Sequence, residues 1–381
     1  MGGNCCAPVH LTNFEGPDSA TEKMPGVPDT PTSPTDSPAG EPPKMPFTRF
    51  RRIRSSLSMG SGGSLEHAME IHRRSSVTKG GNRRDSQCHF AKQEQTIVVF
   101  DWDDTLFPTT YVNDDVKLNW KRPLRQQKPK GPDDVPTIAK NLSLCEEHAM
   151  EVLRRASCLA RVVVVTLAST GAVDLACRHF YPTMGTLLQE MCIPIVYAQA
   201  KAGLTVAQHH ALQHQSVEEN EKFWGLIKGR AIAEEADRFY SQYEGQSWKN
   251  ILSIGDSSFE RYGLLAATTA YMQGLPLTNE SEASVWSPTQ TDCWRKVQNG
   301  HVKKVRAKCC KLVDQPDVSE LTLELEMVSQ WLEGMVHLDS GFDLDMEAIQ
   351  GEAEVEVACA VFNGERPVFE LPRLPVHAAA G

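Results

Sequence analysis

The sequence predicts an α/β fold, a parallel sheet flanked by helices, and three observations carry that prediction. Short apolar runs rich in β-branched residues recur at Thr96–Phe100, Arg161–Thr166 and Asn250–Gly255, which suits strands buried on both faces. Stretches with apolar residues at helical spacing separate these runs, and strands alternating with helices imply right-handed crossovers in one sheet. All three runs end on polar residues, and in open α/β sheets ligands bind beyond the carboxyl ends of the strands.

The elements follow in order. Thr96-Ile-Val-Val-Phe100 ends on an aspartate cluster, and irregular sequence rich in Pro and Lys runs from Asn119 to Pro136. A helix is predicted over 141–159, where Leu142, Cys145, Ala149, Val152, Leu153 and Ala156 recur at helical spacing behind an Asn141 cap. After Arg161–Thr166 come a helix from about Gly171, a short strand over 193–197 and a charged helix over 217–240. Asn250–Gly255 leads into a helix from Ser258 and a short strand over 268–272. A polar loop to about Gly300 precedes a strand over 302–313. The last helix sets Leu321, Leu325, Val328, Leu332 and Met335 on one face. The folded core is therefore expected over 93–340. The segment 341–381, acidic and then apolar with prolines, has no readable role.

Residues 1–92 read as a disordered arm. Pro, Ser, Thr and acidic residues crowd Thr21 to Pro46, and arginines follow at 49, 51, 52, 54, 73, 74, 83 and 84. Such composition buries too little apolar surface to offset the entropy of ordering. The net charge of -10 excludes a general polyanion binder, and the acidic folded part lacks the aromatic–basic interleaving of a nucleic-acid surface. The 11 cysteines, an odd number without metal-ligand spacing, point to a reducing, cytoplasmic setting. The longest apolar run falls far short of the roughly 20 residues of a membrane span.

Met1-Gly2-Gly3-Asn4-Cys5-Cys6 resembles an N-myristoylation signal with adjacent palmitoylation sites, with Cys6 standing where Ser or Thr is usual. A chance start with cysteines is the plain alternative. Lipid on Gly2, Cys5 and Cys6, reinforced by Arg49 to Arg54, would hold the chain on inner-leaflet lipids at the cytoplasmic face of a membrane. Arg73-Arg74-Ser75-Ser76 and Arg83-Arg84-Asp85-Ser86 match basophilic-kinase patterns, so Ser76 and Ser86 are candidate phosphorylation sites.

Asp101-Trp102-Asp103-Asp104-Thr105, Thr166 and Gly255-Asp256-Ser257-Ser258-Phe259-Glu260 each follow or close a strand. Singly, each is ordinary turn or cap chemistry. Together, in this order, they resemble the signature of the haloacid dehalogenase superfamily, over residues from about 95 to about 340. The wording Asp-Trp-Asp-Asp-Thr-Leu-Phe-Pro-Thr and Ile-Gly-Asp-Ser-x-Phe-Glu-Arg is similar to an uncharacterised subgroup of fungi and protists.

The resemblance implies a Rossmann-like core and Mg²⁺-dependent phosphatase chemistry on a phosphorylated substrate. Asp101 would be the nucleophile, forming an aspartyl-phosphate, and Asp103 the general acid and then base. Asp101, the Asp103 main-chain carbonyl and Asp256 would hold magnesium, with Glu260 binding it directly or through water. Thr166 would bind a phosphoryl oxygen, Thr105 would brace the loop, and Asp104 would be a spectator. The family also needs a lysine. Lys201, Lys222, Lys228 and Lys249 qualify, and Lys228, in Phe-Trp-Gly-Leu-Ile-Lys, is favoured because the subgroup places Trp-Lys there. Thr166-Leu-Ala-Ser departs from the Asn-Ala that the subgroup shows, which puts substrate specificity in doubt but not the core chemistry. The insertions after the first two strands are short or filled by core elements. No large cap is thus expected, which favours a phosphoprotein or other bulky substrate. The alternative is a catalytically silent scaffold of the same fold.

Overall fold

The computed structural model describes residues 87–204, 215–278, 294–298 and 301–372. Their centre is a seven-stranded sheet of β1 (Thr96–Phe100), β2 (Arg161–Thr166), β3 (Ile195–Tyr197), β4 (Asn250–Gly255), β5 (Trp294–Gln298), β6 (His301–Lys311) and β7 (Phe342–Asp345). Six strands are parallel in the order β3-β2-β1-β4-β6-β7, and β5 pairs antiparallel with the first half of β6. Phe100 lies opposite both Val164 and Ile254, so the carboxyl ends of β1, β2 and β4 lie side by side.

The helices are α1 (Val135–Leu159), α2 (Ala172–His179), α3 (Pro182–Glu190), α4 (Ala198–Ala202), α5 (Val217–Phe239), α6 (Ser258–Gln273), α7 (Val318–His337) and α8 (Glu352–Phe362). Side chains alternate across a strand. Val98 and Phe100 accordingly pack with α1, α2, α3, α7 and α8, while Ile97 and Val99 pack with α5 and α6. Between β1 and β2 stand only short turns and α1, and between β2 and β3 only α2 and α3, so the described residues include no large cap.

Several boundaries differ from the sequence reading. Helix α1 begins at Val135, where Asp134 accepts the Thr137 N–H at 2.9 Å and Pro136 occupies the first turn, a position that needs no donor. No strand covers 268–272. Helix α6 runs on to Gln273, Thr268 and Thr269 return their hydroxyls to the Leu264 and Leu265 carbonyls, and Gly274 closes the helix at φ 72. The helix expected from Gly171 is two helices, broken before Pro182, and β5 occupies part of the expected polar loop. The core also does not stop at residue 340. Strand β7 joins the sheet, and α8 buries Val355, Val361 and Phe362, with Phe362 between Trp331 and Phe342.

Candidate active site

Asp101 leaves β1 with its N–H on the Ile254 carbonyl of β4 at 2.9 Å, which fixes it at the carboxyl edge of the sheet. Three residues on, Asp104 takes a left-handed backbone, φ 47, which aspartate tolerates better than most residues. Its N–H donates to the Phe107 carbonyl, and its carboxylate accepts the Thr110 N–H at 2.8 Å and the Thr110 hydroxyl at 2.6 Å. The chain thus turns back on itself over the stacked rings of Trp102 and Phe107. That turn delivers Thr109, whose hydroxyl donates to Asp103 Oδ1 at 2.7 Å. From the neighbouring strand end, the Thr166 hydroxyl donates to Asp103 Oδ2 at 3.1 Å. Asp256, past β4, donates its N–H to the Thr105 hydroxyl at 3.1 Å, so Thr105 stitches the loops after β1 and β4 together.

Lys228 arrives from a helix rather than a strand end. Glycines let α5 and α6 cross at backbone contact: a Cβ on Gly229 would stand 2.8 Å from the Gly263 carbonyl oxygen, and one on Gly263 2.8 Å from that of Gly225. At this separation the Lys228 ammonium lies 2.9 Å from Asp101 Oδ1 and pairs with Glu260 Oε1. The Asp101 contact is an ion pair by distance but lacks hydrogen-bond alignment, so Oδ1 is buried and accepts no hydrogen bond. Glu260 Oε2 accepts the Ser257 hydroxyl at 2.6 Å and the Ser257 N–H at 3.1 Å, closing the capping box at the start of α6. Gly255 leaves room for this fold-back, since a Cβ there would overlap the Glu260 side chain.

The electrostatics follow from the crowding. Burial pushes Asp101 up to about 6, with Lys228 opposing and Asp103 adding to the rise. Burial also pushes Asp104 up to about 6 against its hydrogen bonds from Thr110. Asp256 is raised well above the carboxylate range, first by burial and then by the charge on Asp101, with Lys228 again opposing. Asp101, Asp256 and Glu260 crowd around the ammonium of Lys228, so carboxylates outnumber the cation among them.

Among the described residues, no group of three or more His, Cys, Asp or Glu side chains is gathered as a metal-binding set. A hard divalent cation fits what is present on other grounds: the donors are oxygens, one Asp101 oxygen is buried without a hydrogen bond, and negative charge is in excess. Asp101, Asp256 and the Asp103 main-chain carbonyl are the groups available to it. Glu260 has both oxygens engaged, by Lys228 and Ser257, and in this arrangement braces the lysine instead of offering a direct ligand.

The structure therefore brings together Asp101, Asp103, Thr166, Lys228, Asp256 and Glu260. Of the other lysines considered, Lys201 pairs with Glu234 at 2.9 Å in an exposed position, and Lys249 is buried just ahead of β4, at the opposite edge. Asp104 is no bystander, because it holds the turn that carries Thr109. Gly2, Cys5, Cys6, Arg49 to Arg54, Ser76 and Ser86 lie outside the described residues. Sequence reasoning missed the roles of Thr109, Thr110 and the three crossing glycines. The Gly225-x-x-x-Gly229 spacing was the available signal for the crossing. Two cavities lined by described residues, of about 320 and 520 Å³, lie elsewhere, and neither includes these carboxylates. No protein-family model matches the sequence, and no curated protein or solved structure matches it either.

Proposed function

We propose that this chain is a magnesium-dependent phosphatase of the haloacid dehalogenase kind that works through an aspartyl-phosphate. One observation carries the reading: Lys228 lies 2.9 Å from a buried Asp101, while the next strand end holds Asp103 through Thr166 at 3.1 Å. A nucleophile, a charge partner and an acid–base group thus share one sheet edge.

In the first step Asp101 attacks phosphorus, the bond from phosphorus to the leaving oxygen breaks, and protonated Asp103 gives that oxygen its proton. In the second, Asp103 takes a proton from water, the water oxygen attacks phosphorus, and the bond to Asp101 breaks, releasing phosphate. Thr109 and Thr166 hold both oxygens of Asp103, fixing its aim. Lys228, braced by Glu260, offsets charge on Asp101 and the phosphoryl group. Magnesium, held by Asp101, Asp256 and the Asp103 main-chain carbonyl, would supply positive charge to offset that of the phosphoryl group. Among the described residues the insertions are small and none caps the edge, which favours a bulky substrate such as a phosphoprotein. Among the described residues no helix is long and apolar enough to cross a membrane. Attachment through lipid on Gly2, Cys5 and Cys6 is part of the same proposal.

The test is hydrolysis of p-nitrophenyl phosphate and phosphopeptides with magnesium. Asp101→Asn, which keeps the shape and removes the nucleophilic charge, should abolish it. Wild type and variant equally inert across a broad panel would replace the phosphatase with a silent scaffold.

A further inference from the structure

We propose that the cationic loop between β1 and α1, residues 116–132, docks an acidic segment of the phosphoprotein on which the carboxyl edge acts. That the docked segment belongs to a substrate rests on the phosphatase reading; the docking itself does not. The loop carries Lys117, Lys121, Arg122, Arg125, Lys128 and Lys130 and no aspartate or glutamate. All six cations are exposed, and among the described residues none of them has an ion-pair partner. Cations elsewhere at this edge are matched: Arg261 pairs with Asp343 at 2.6 Å and Lys311 with Glu347 at 2.9 Å.

A run of surface charge is ordinarily a solvated face, but this one is built. Gln127 is buried; its Oε1 accepts the Asn119 N–H at 2.9 Å, and its Nε2 donates to the Asn119 and Arg122 carbonyls at 2.7 and 2.6 Å. Lys130 donates its N–H to the Val116 carbonyl at 3.2 Å, which pins the two ends of the loop together. Lys117 is held at φ 52, a strained backbone for lysine. Trp120 anchors the middle, its ring 5.4 Å from that of Phe107, which stacks on Trp102 beside Asp101. Strand β1 ends at the carboxyl edge and α1 runs back from it, so the loop stands on the edge that holds Asp101. That edge has the complementary need. Carboxylates outnumber Lys228 there, and an anionic substrate is repelled unless nearby cations offset them. An acidic polypeptide suits the loop better than other polyanions do. The loop exposes no large apolar side chain to enter a bilayer. Its one aromatic residue, Trp120, packs against Phe107 and Phe180 with its N–H on Asn113, instead of standing out to stack on a base.

The experiment measures the affinity of the full chain, in EDTA at low salt, for a peptide in which a run of glutamates follows one phosphoserine. No turnover is needed. Replacing Lys121, Arg122 and Arg125 together by alanine should weaken binding about tenfold, at roughly twofold for each exposed charge pair. Added salt should weaken binding to the wild type as well. Lys128→Glu combined with Lys130→Glu, on the other arm of the loop, should act in the same direction, and decides the matter if the first variant does not fold. Two results overturn the proposal: loop variants that bind the peptide as tightly as wild type, or a wild type that ignores the peptide, whether or not it binds phosphatidylserine vesicles through the loop. A loop-dependent affinity that the phosphate does not raise would uphold the docking surface and count against the phosphatase reading, so the two failures are distinct.

Discussion

Alanine at Gly263 would set two effects of opposite sign against each other at the helix crossing. In an ordinary helix interior Gly→Ala is stabilising, by about 1 kcal/mol. Here the new Cβ would stand 2.8 Å from the Gly225 carbonyl oxygen and 2.9 Å from the Gly229 nitrogen. Both are backbone atoms that cannot rotate away, so α5 and α6 must part. Overpacking of this kind costs about 1–3 kcal/mol. Parting the helices also stretches the buried Lys228–Glu260 pair, and loss of one partner of such a pair costs about 3–5 kcal/mol. Even with only part of the second cost incurred, the net change is a loss of about 2 kcal/mol, a fall in Tm of roughly 4–8 °C for a domain of this size. Denaturant unfolding of wild type and Gly263→Ala, with a common slope, measures the loss directly. A variant as stable as wild type, or more so, would show that close contact does not hold Lys228 in place.

Three further outcomes are expected. Asp101 rises from the ordinary 3.8 to about 6 in the fold, so the folded chain binds a proton that the unfolded chain has released. Stability should therefore fall as pH rises from about 4 to about 6, by about 3 kcal/mol for this group at 1.36 kcal/mol per unit, and then level off. Denaturant midpoints in EDTA at pH 5 and 7.5 should show that fall, Asp101→Asn should shrink it while leaving the share of Asp104 and Asp256, and magnesium should raise the midpoint mainly at the higher pH. Ending the chain at residue 340 should leave no cooperative transition in calorimetry. Phe342, Leu344, Ile349, Val355, Val361 and Phe362 are buried, and at roughly 1.5–3 kcal/mol each their loss rivals the roughly 5–15 kcal/mol of a whole fold. In fractionated cells Gly2→Ala should release most of the protein from membranes, whereas neutralising Arg49 to Arg54 should release only part, at about 1 kcal/mol per arginine.

What was legible in the sequence follows the physics of each element. Asn250–Gly255 is buried at every position, so its apolar run carried the boundary intact. The Thr268–Met272 run misled because β-branched threonines favour strands in isolation, whereas here their hydroxyls are absorbed by helix carbonyls. Pro136 read as a breaker but sits in the first turn of α1, where it starts a helix. Strand β7 is only Phe-Asp-Leu-Asp, too short and too polar to stand out, and its partner β6 lies 30 residues upstream. At the candidate site, residues that follow strands could be placed from local sequence. Lys228 could not, because its position depends on how closely two helices cross, and Thr109 depends on a turn that only the Asp104–Thr110 clamp defines.

Glu260 caps α6 with one oxygen and holds Lys228 with the other. No other side chain does both: glutamine keeps the length but not the charge, and aspartate keeps the charge but loses a methylene of reach. A mutational scan scored only for folded protein, with no demand on activity, should therefore still come back nearly blank at residue 260. It follows that a descendant that had lost all chemistry would go on carrying the Glu260–Lys228 pair for the sake of its fold. In such a lineage drift would come first at Asp101, whose buried charge burdens the folded state unless something binds it.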